Sequence, residues 1–264
     1  IRSKDILDWQ IKINNLNLKY SYKKTLHTCL VTILNYCMTF YDLKENVASK
    51  VGNFKNFDIE EKDIIWTLDD FNKFINKVNN IEYKVLFNLL FFTGLRSGEI
   101  LSLTFNDINF DNKLLTINKT ATRFFNSDGS RIITTPKTKK SNRIISIDDK
   151  MIEELKELKK YYLKKYSNYN DNYFIFGGIK SIPPTTLTRK KNYYCDLANV
   201  KRIKIHGFRH SHAILLYQNN VPIDEIKNRL GHSNISMTID VYLKNIPINE
   251  KNVINTLNSL RLNN

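Results

Sequence analysis

Four of the five histidines fall in the last sixty residues, and three of those crowd into HGFRHSHA (206–213) around Arg209. On a helix, His206 and Arg209, three apart, share a face. Arginine is a planar, permanently charged fork suited to phosphate. His206 and His210 also have the i, i+4 spacing of a helical zinc pair. No carboxylate or thiol lies nearby to complete such a site, and Arg209 would set a cation beside the ion. No metal is expected, and His210 and His212 are read as supporting helix packing. Upstream, TGLRSGEILSL (93–103) places Arg96 just after Gly94, at a sharp helix-to-helix junction. Glu99, three residues on, can hold the guanidinium or the backbone; taken alone the two would read as a surface ion pair. TPKTKKSNR (135–143) offers Lys137 at a hairpin turn, with Lys139 and Lys140 in the same turn. Near the end, LGHSNISMTIDVYLK (230–244) holds His232 and, ten residues later, Tyr242, one of 14 tyrosines. Each feature is weak alone; their order along the chain is what carries weight.

The elements that must position these residues can be read from periodicity and punctuation. Residues 3–15 predict a short helix capped by Ser3 or Asp5, with Ile6, Trp9 and Ile13 on one face. Residues 21–43 predict a longer helix with Leu26, Leu30, Ile33, Cys37 and Tyr41 as its core stripe. Residues 46–63 are polar and aperiodic and read as a linker, with a domain boundary near 65. Thr67 and Asp70 form a capping-box pattern with Asp in place of Glu. An apolar helix over 81–93 stops at Gly94, the residue that most easily takes the left-handed C′ position, and a helix over 97–104 follows. Residues 113–120 and 131–147 alternate and are β-branched, predicting strands, with a turn at NSDG (126–129). A charged helix over 151–166, a loop over 167–190 and helices from about 191 complete the chain. The expected fold class is α+β: an all-α first domain (1–65), then a mostly α second domain (66–264) with a small antiparallel sheet.

Composition narrows the function classes. The chain has 264 residues, 42% hydrophobic and 25% charged, as in globular proteins. No apolar run approaches the roughly 18–20 residues of a membrane span, and the first residues lack a signal-peptide core. Cys29, Cys37 and Cys195 are too few and wrongly spaced for a disulfide framework; the first two read as small core residues. A cytoplasmic location follows as the expectation. Lys and Arg number 41 against 26 Asp and Glu, a net charge of +15. Residues 1–65 carry 10 basic and 8 acidic side chains, so the excess lies almost wholly in residues 66–264. Such a field attracts a polyanion, nucleic acid being the usual one. A Lys-rich compositional bias would leave the same trace.

The ordered series Arg96, Lys137, His206-x-x-Arg209, Gly231-His232, Tyr242 resembles the tyrosine recombinases, the integrases of phages and conjugative transposons and the chromosome-dimer recombinases. HGFRHSHA is similar to the family's H-x-L-R-H-T-H-A, with Phe208 where Leu is commoner. LGHSNISMTIDVY is similar to L-G-H-S-x-x-x-T-T-x-x-Y, with Met237 before Thr238. The resemblance spans 66–250, and residues 1–65 look like the family's helical core-binding domain.

The resemblance implies metal-free phosphoryl transfer on DNA, with no cofactor. Arg96 and Arg209 would clamp the scissile phosphate, meeting the charge that gathers on its nonbridging oxygens. Tyr242 would be the nucleophile; a phenol with a free pKa of about 10 needs help to attack. His206 would be general base or proton relay, Lys137 the general acid on the departing 5′-oxygen, and His232 a donor to a nonbridging oxygen, with Glu99 and His210 in support. The product would be a 3′-phosphotyrosyl link and a free 5′-hydroxyl. Lys19, Lys23, Lys24, Lys139 and Lys140 would contact DNA phosphates. The partners implied are double-stranded DNA, three further copies in a homotetramer, and accessory DNA-bending factors. The tail 251–264 could fold on its own domain or dock on a neighbouring protomer. The rival readings are a type IB topoisomerase and a non-catalytic DNA-binding protein.

Overall fold

A computed structural model of the chain describes residues 1–55, 64–136 and 141–231. Of the residues singled out above, Lys137, Lys139, Lys140, His232, Tyr242 and the tail lie outside this set. The chain divides into two compact units, Ile1–Glu61 and Lys62–Asn264.

The first unit is built from α1 (Ser3–Asn14), α2 (Tyr20–Phe40) and α3 (Val47–Val51). Helix α1 starts one residue earlier than a Ser3 cap would place it: Arg2 is the N-cap, and its backbone N–H donates to the Asp5 carboxylate at 2.8 Å. Ile6, Leu34, Val47 and Ala48 form the core, flanked by Trp9, Leu30 and Val31. Ile33 and Tyr41 are 58% and 71% exposed, so the expected stripe is wrong at both positions. The inward stripe follows four-residue steps from Leu26 through Leu30 to Leu34, with His27 and Val31 beside it. A three-residue step to Ile33 leaves that face. Cys29 is likewise exposed and Cys37 only half-buried, which corrects their reading as core residues. The supposed linker contains α3, because Asn46 caps it through Ser49 N–H (3.0 Å) and also donates to the Val31 carbonyl (2.9 Å).

The second unit is organised around α5 (Ile81–Thr93), in which every residue from Val85 to Phe91 is buried. Helix α4 (Leu68–Ile75), α7 (Asp149–Lys165) and α9 (Ile205–Gln218) pack against it, and α8 (Pro184–Ala198) packs on α4. Aromatic rings fill the centre. Phe71 stacks on Phe91 with centroids 3.9 Å apart, and Phe208 of α9 meets Trp66, Phe74 and Phe87. Thr67 and Asp70 form the expected capping box at α4. Gly94 ends α5 in the left-handed conformation, φ 65°. A Cβ there would lie 2.7 Å from Leu230 and 2.8 Å from His212, so both backbone and space require glycine. The helix expected over 97–104 is only α6 (Ser97–Ile100), followed by a 3-10 turn at Phe105–Asp107.

Two antiparallel sheets complete the unit, in line with the α+β expectation. One has the order β1 (Ile108–Asn109), β2 (Leu114–Ile117), β5 (Arg143–Ser146); the other is the hairpin of β3 (Thr120–Phe125) and β4 (Arg131–Thr134) across the NSDG turn. The stretch 131–147, expected as strands about a hairpin turn at Lys137, holds β4 and β5, which belong to different sheets rather than to one hairpin. The loop expected over 167–190 gives way to α8 at Pro184. Pro183 is the N-cap and Pro184 the first helical residue, a position where a missing N–H costs nothing. Helix α10 (Ile223–Leu230) packs on α9 through a small separate core of Ala213, Ile214, Ile226 and Leu230.

Candidate active site

The short α6 is the pivot of the site. Arg96 is its N-cap, in extended conformation two residues after the left-handed Gly94. Its backbone N–H donates to Glu99 Oε2 at 2.8 Å, and its Nη1 donates to Oε1 at 2.9 Å. The pair is no surface ion pair: Glu99 is 2% exposed, because Arg143 of β5 covers it. Arg143 donates from Nη1 to Oε1 at 3.0 Å and from Nη2 to Oε2 at 2.9 Å, a fork-on-carboxylate geometry. Burial alone would raise the Glu99 carboxyl. The hydrogen bond and charge of Arg143, with the N–H and charge of Arg96, overturn that and bring it down to about 2.

Arg209 enters from the first turns of α9 and is 1% exposed. Its Nη1 donates to the Gly94 carbonyl at 2.8 Å and its Nη2 to the Leu230 carbonyl at 2.7 Å; its Nε has no acceptor among the described residues. Burial and the neighbouring Arg96 lower its pKa to about 9, so at neutral pH it stays charged in a place that disfavours charge. Arg96 also reaches the end of α10, donating from Nη2 to the Gly231 carbonyl at 3.2 Å. A fourth arginine, Arg229, donates to His212 Nε2 at 3.2 Å and to the Ser146 and Phe92 carbonyls. Among the described residues three guanidiniums, of Arg96, Arg143 and Arg209, surround the one carboxylate of Glu99, while Arg229 lies nearer Asp148. Such an imbalance is what a bound anion corrects, and a preorganised cationic site of this kind favours developing negative charge on oxygen.

The structure therefore brings together Arg96, Glu99 and Arg209 from α6 and α9. His206, also on the first turn of α9, is exposed, and His210 is half-buried; their rings stand perpendicular with centroids 4.6 Å apart. His212 is 2% exposed. Among the described residues no group of His, Cys, Asp and Glu is arranged to hold a metal, and no helix is long and apolar enough to cross a membrane. In the first unit, Lys19 is the exposed N-cap of α2 and Lys24 is exposed, while the half-buried Lys23 rests its Nζ against Asn14 at 3.4 Å. Sequence reasoning missed Arg143 and Arg229. For Arg143 a signal existed: the alternation in RIISI places it on the same inward face as Ile145 and Ile147, where a lone arginine implies a buried partner.

A helical bundle around α5 with small antiparallel sheets thus carries a buried arginine cluster suited to an anion. Residues 65–247 match the phage integrase family, and the chain belongs to that family. It is 29% identical over 269 residues to the ICEBs1 integrase of Bacillus subtilis, covering 98% of this chain and 71% of that protein. It is 29% identical over 256 residues to a tyrosine recombinase XerC-like protein of Caldanaerobacter subterraneus, covering 90% of this chain and 66% of that one. Among solved structures the fold is similar to the Tn1549 transposon integrase bound to a circular intermediate DNA. That match has a TM-score of 0.78 and 17% identity, over 98% of this chain and 85% of that one. The chain is thus a tyrosine recombinase of the integrase type found on mobile elements.

Proposed function

We propose that this chain integrates and excises a mobile element, a phage, a conjugative transposon or a genomic island, by cutting and rejoining DNA at specific sites. The observation that carries the reading is the arginine cluster around Glu99, in which Arg209 is buried and charged and Arg96, 34% exposed along its side chain, faces outward. In this scheme the two guanidiniums hold the nonbridging oxygens of a DNA phosphodiester, and Glu99 fixes the fork of Arg96. Tyr242 attacks phosphorus with its phenolic oxygen, and the bond from phosphorus to the 5′-oxygen breaks. His206 takes the phenolic proton or relays it, with His210 beside it. Lys137 gives a proton to the leaving 5′-oxygen, and His232 donates to a nonbridging oxygen. The phosphate ends as a 3′-phosphotyrosyl diester, so the 5′-hydroxyl of another strand can reverse the step without ATP or metal.

Strand exchange then proceeds through a four-way junction in a homotetramer. The first unit and the catalytic unit grip the duplex, with Lys19, Lys24 and Lys23, and Lys139 and Lys140 in the catalytic unit, near phosphates; binding weakens steeply with salt. Accessory DNA-bending factors set direction, the tail 251–264 links protomers, and the work is done in the cytoplasm. The net charge of +15 supports a nucleic-acid partner.

The test is covalent trapping on nicked duplexes cut from the regions flanking the gene, followed by sequencing of the attached DNA. The expected result is a protein–DNA adduct with a free 5′-hydroxyl, lost in Tyr242→Phe, and joined four-way products from paired sites. An adduct that persists in Tyr242→Phe removes the tyrosine from its role. Relaxation of supercoiled DNA with no strand transfer would make the chain a type IB topoisomerase. Binding without any adduct would make it a non-catalytic DNA-binding protein.

A further inference from the structure

The last three carbonyls of the α10 end are each taken by an arginine from a different element. Arg143 Nε of β5 donates to the Arg229 carbonyl at 2.7 Å, Arg209 of α9 to the Leu230 carbonyl, and Arg96 of α6 to the Gly231 carbonyl. Carbonyls at a helix C-terminus have no partner within the helix and must find one elsewhere. Arg209 and Arg96 already have roles in the proposed reaction. Arg143 does not, and its guanidinium is almost buried, with 6% of the side chain exposed. Every one of its terminal nitrogens is engaged: both Glu99 oxygens, the Arg229 carbonyl and, from Nη1, the Ser141 carbonyl at 3.1 Å.

We propose that Arg143 is a positioning residue for DNA cleavage, which locks Glu99 onto Arg96 and sets the register of α10 from β5. This rests on the recombinase reading and deepens it. Arg143 touches three segments that the reaction must keep in register. It holds the carboxylate that aims Arg96. It grips the residue two before Gly231, from which the chain runs on to His232 and Tyr242. It sits six residues after Lys137 in the sequence, at the start of β5. A planar fork is needed, since one face must satisfy a carboxylate bidentately while Nε reaches a carbonyl; a lysine offers one point of charge.

The charged groups facing Glu99 among the described residues are Arg96 on its own turn, Arg143 from β5 and Arg209 from α9. Arg143 makes the larger contribution to keeping the carboxyl ionised, ahead of Arg96. Removing it lets Glu99 take up a proton at higher pH, and a protonated Glu99 no longer holds the Arg96 fork. That gives a signature that mere damage to the scaffold would not produce.

The experiment measures single-turnover adduct formation on the trapped duplex against pH, beside DNA affinity by anisotropy, for the unaltered chain, Arg143→Met, Arg143→Lys and Arg143→Met/Glu99→Gln. Affinity is expected to hold while the cleavage rate of Arg143→Met falls about 10–100-fold, the loss typical of a misplaced reacting group. Its rate should also acquire an additional acid limb, beyond the one that His206 as base gives the unaltered chain. The additional limb should fade in Arg143→Lys, which keeps the charge, and vanish in the double variant, which has no carboxylate to titrate. Cleavage by Arg143→Met at the unaltered rate, or slowed with an unchanged pH profile, overturns the positioning role. No adduct from the unaltered chain sinks the recombinase reading, and the positioning role with it.

Discussion

His212 should make the catalytic unit sensitive to mild acid. The ring is 2% exposed, and its Nε2 accepts a hydrogen bond from Arg229 Nε, so that nitrogen must be unprotonated. Burial first, then the cations of Arg229 and Arg209, push its pKa from 6.5 down to about 3. A group whose folded pKa is depressed supplies stability that is present above its unfolded pKa and lost as pH falls toward the folded one. For His212 the loss therefore begins near 6.5 and is still growing at pH 5. At about pH 5 the unfolded imidazole is about 1.5 units below its own pKa while the folded one is still neutral, a loss of about 2 kcal/mol at 1.36 kcal/mol per unit. Urea unfolding followed by Trp66 fluorescence measures this. Trp66 reports the second unit, and a Trp9→Phe background silences the first, where the buried His27 also has a lowered pKa. The unaltered chain should lose about 2 kcal/mol more than His212→Gln between pH 7 and 5, because glutamine can accept from Arg229 without titrating. Equal acid sensitivity of the two proteins would refute the assignment of a neutral, buried His212.

Two further outcomes follow from the same packing. Glu99→Gln should destabilise the second unit by about 3 kcal/mol at neutral pH, since its carboxyl is held some 2.5 units below the usual value by Arg143 and Arg96. That stability is present above about 4.5 and lost as pH falls toward about 2, so urea midpoints of the two proteins should converge over this interval. Phe208→Leu should cost about 1–2 kcal/mol by thermal or urea unfolding, because leucine forfeits ring contacts to Trp66, Phe74 and Phe87.

Local punctuation made much of this fold legible. The Thr67–Asp70 box, the Gly94 stop and the NSDG turn each fix backbone geometry through a side chain or its absence, so they read directly from sequence. Prolines misled where position decides meaning: Pro183-Pro184 suggested loop, yet a proline at the first helical residue is compatible with a helix that continues. The α2 stripe went wrong at Ile33 because three-residue and four-residue steps both look periodic over two turns, and only tertiary partners choose between them. The arginine cluster shows the same boundary. Arg96 and Arg209 stood out through their motifs and neighbours, whereas Arg143 reaches Glu99 from 44 residues away, a pairing that no local window contains.

The small core under α10 has an energetic consequence of its own. Ala213, Ile214, Ile226 and Leu230 pack apart from the large aromatic core, so lifting α10 exposes little apolar surface and leaves the α5 cluster intact. Opening of this helix is therefore a local event, with a free energy well below that of global unfolding. Amide hydrogens of α10 should exchange with solvent ahead of those in α5. The barrier to that exchange then includes the polar contacts to three arginines beside the burial of Ile226 and Leu230, so added salt or a competing oxyanion should change it.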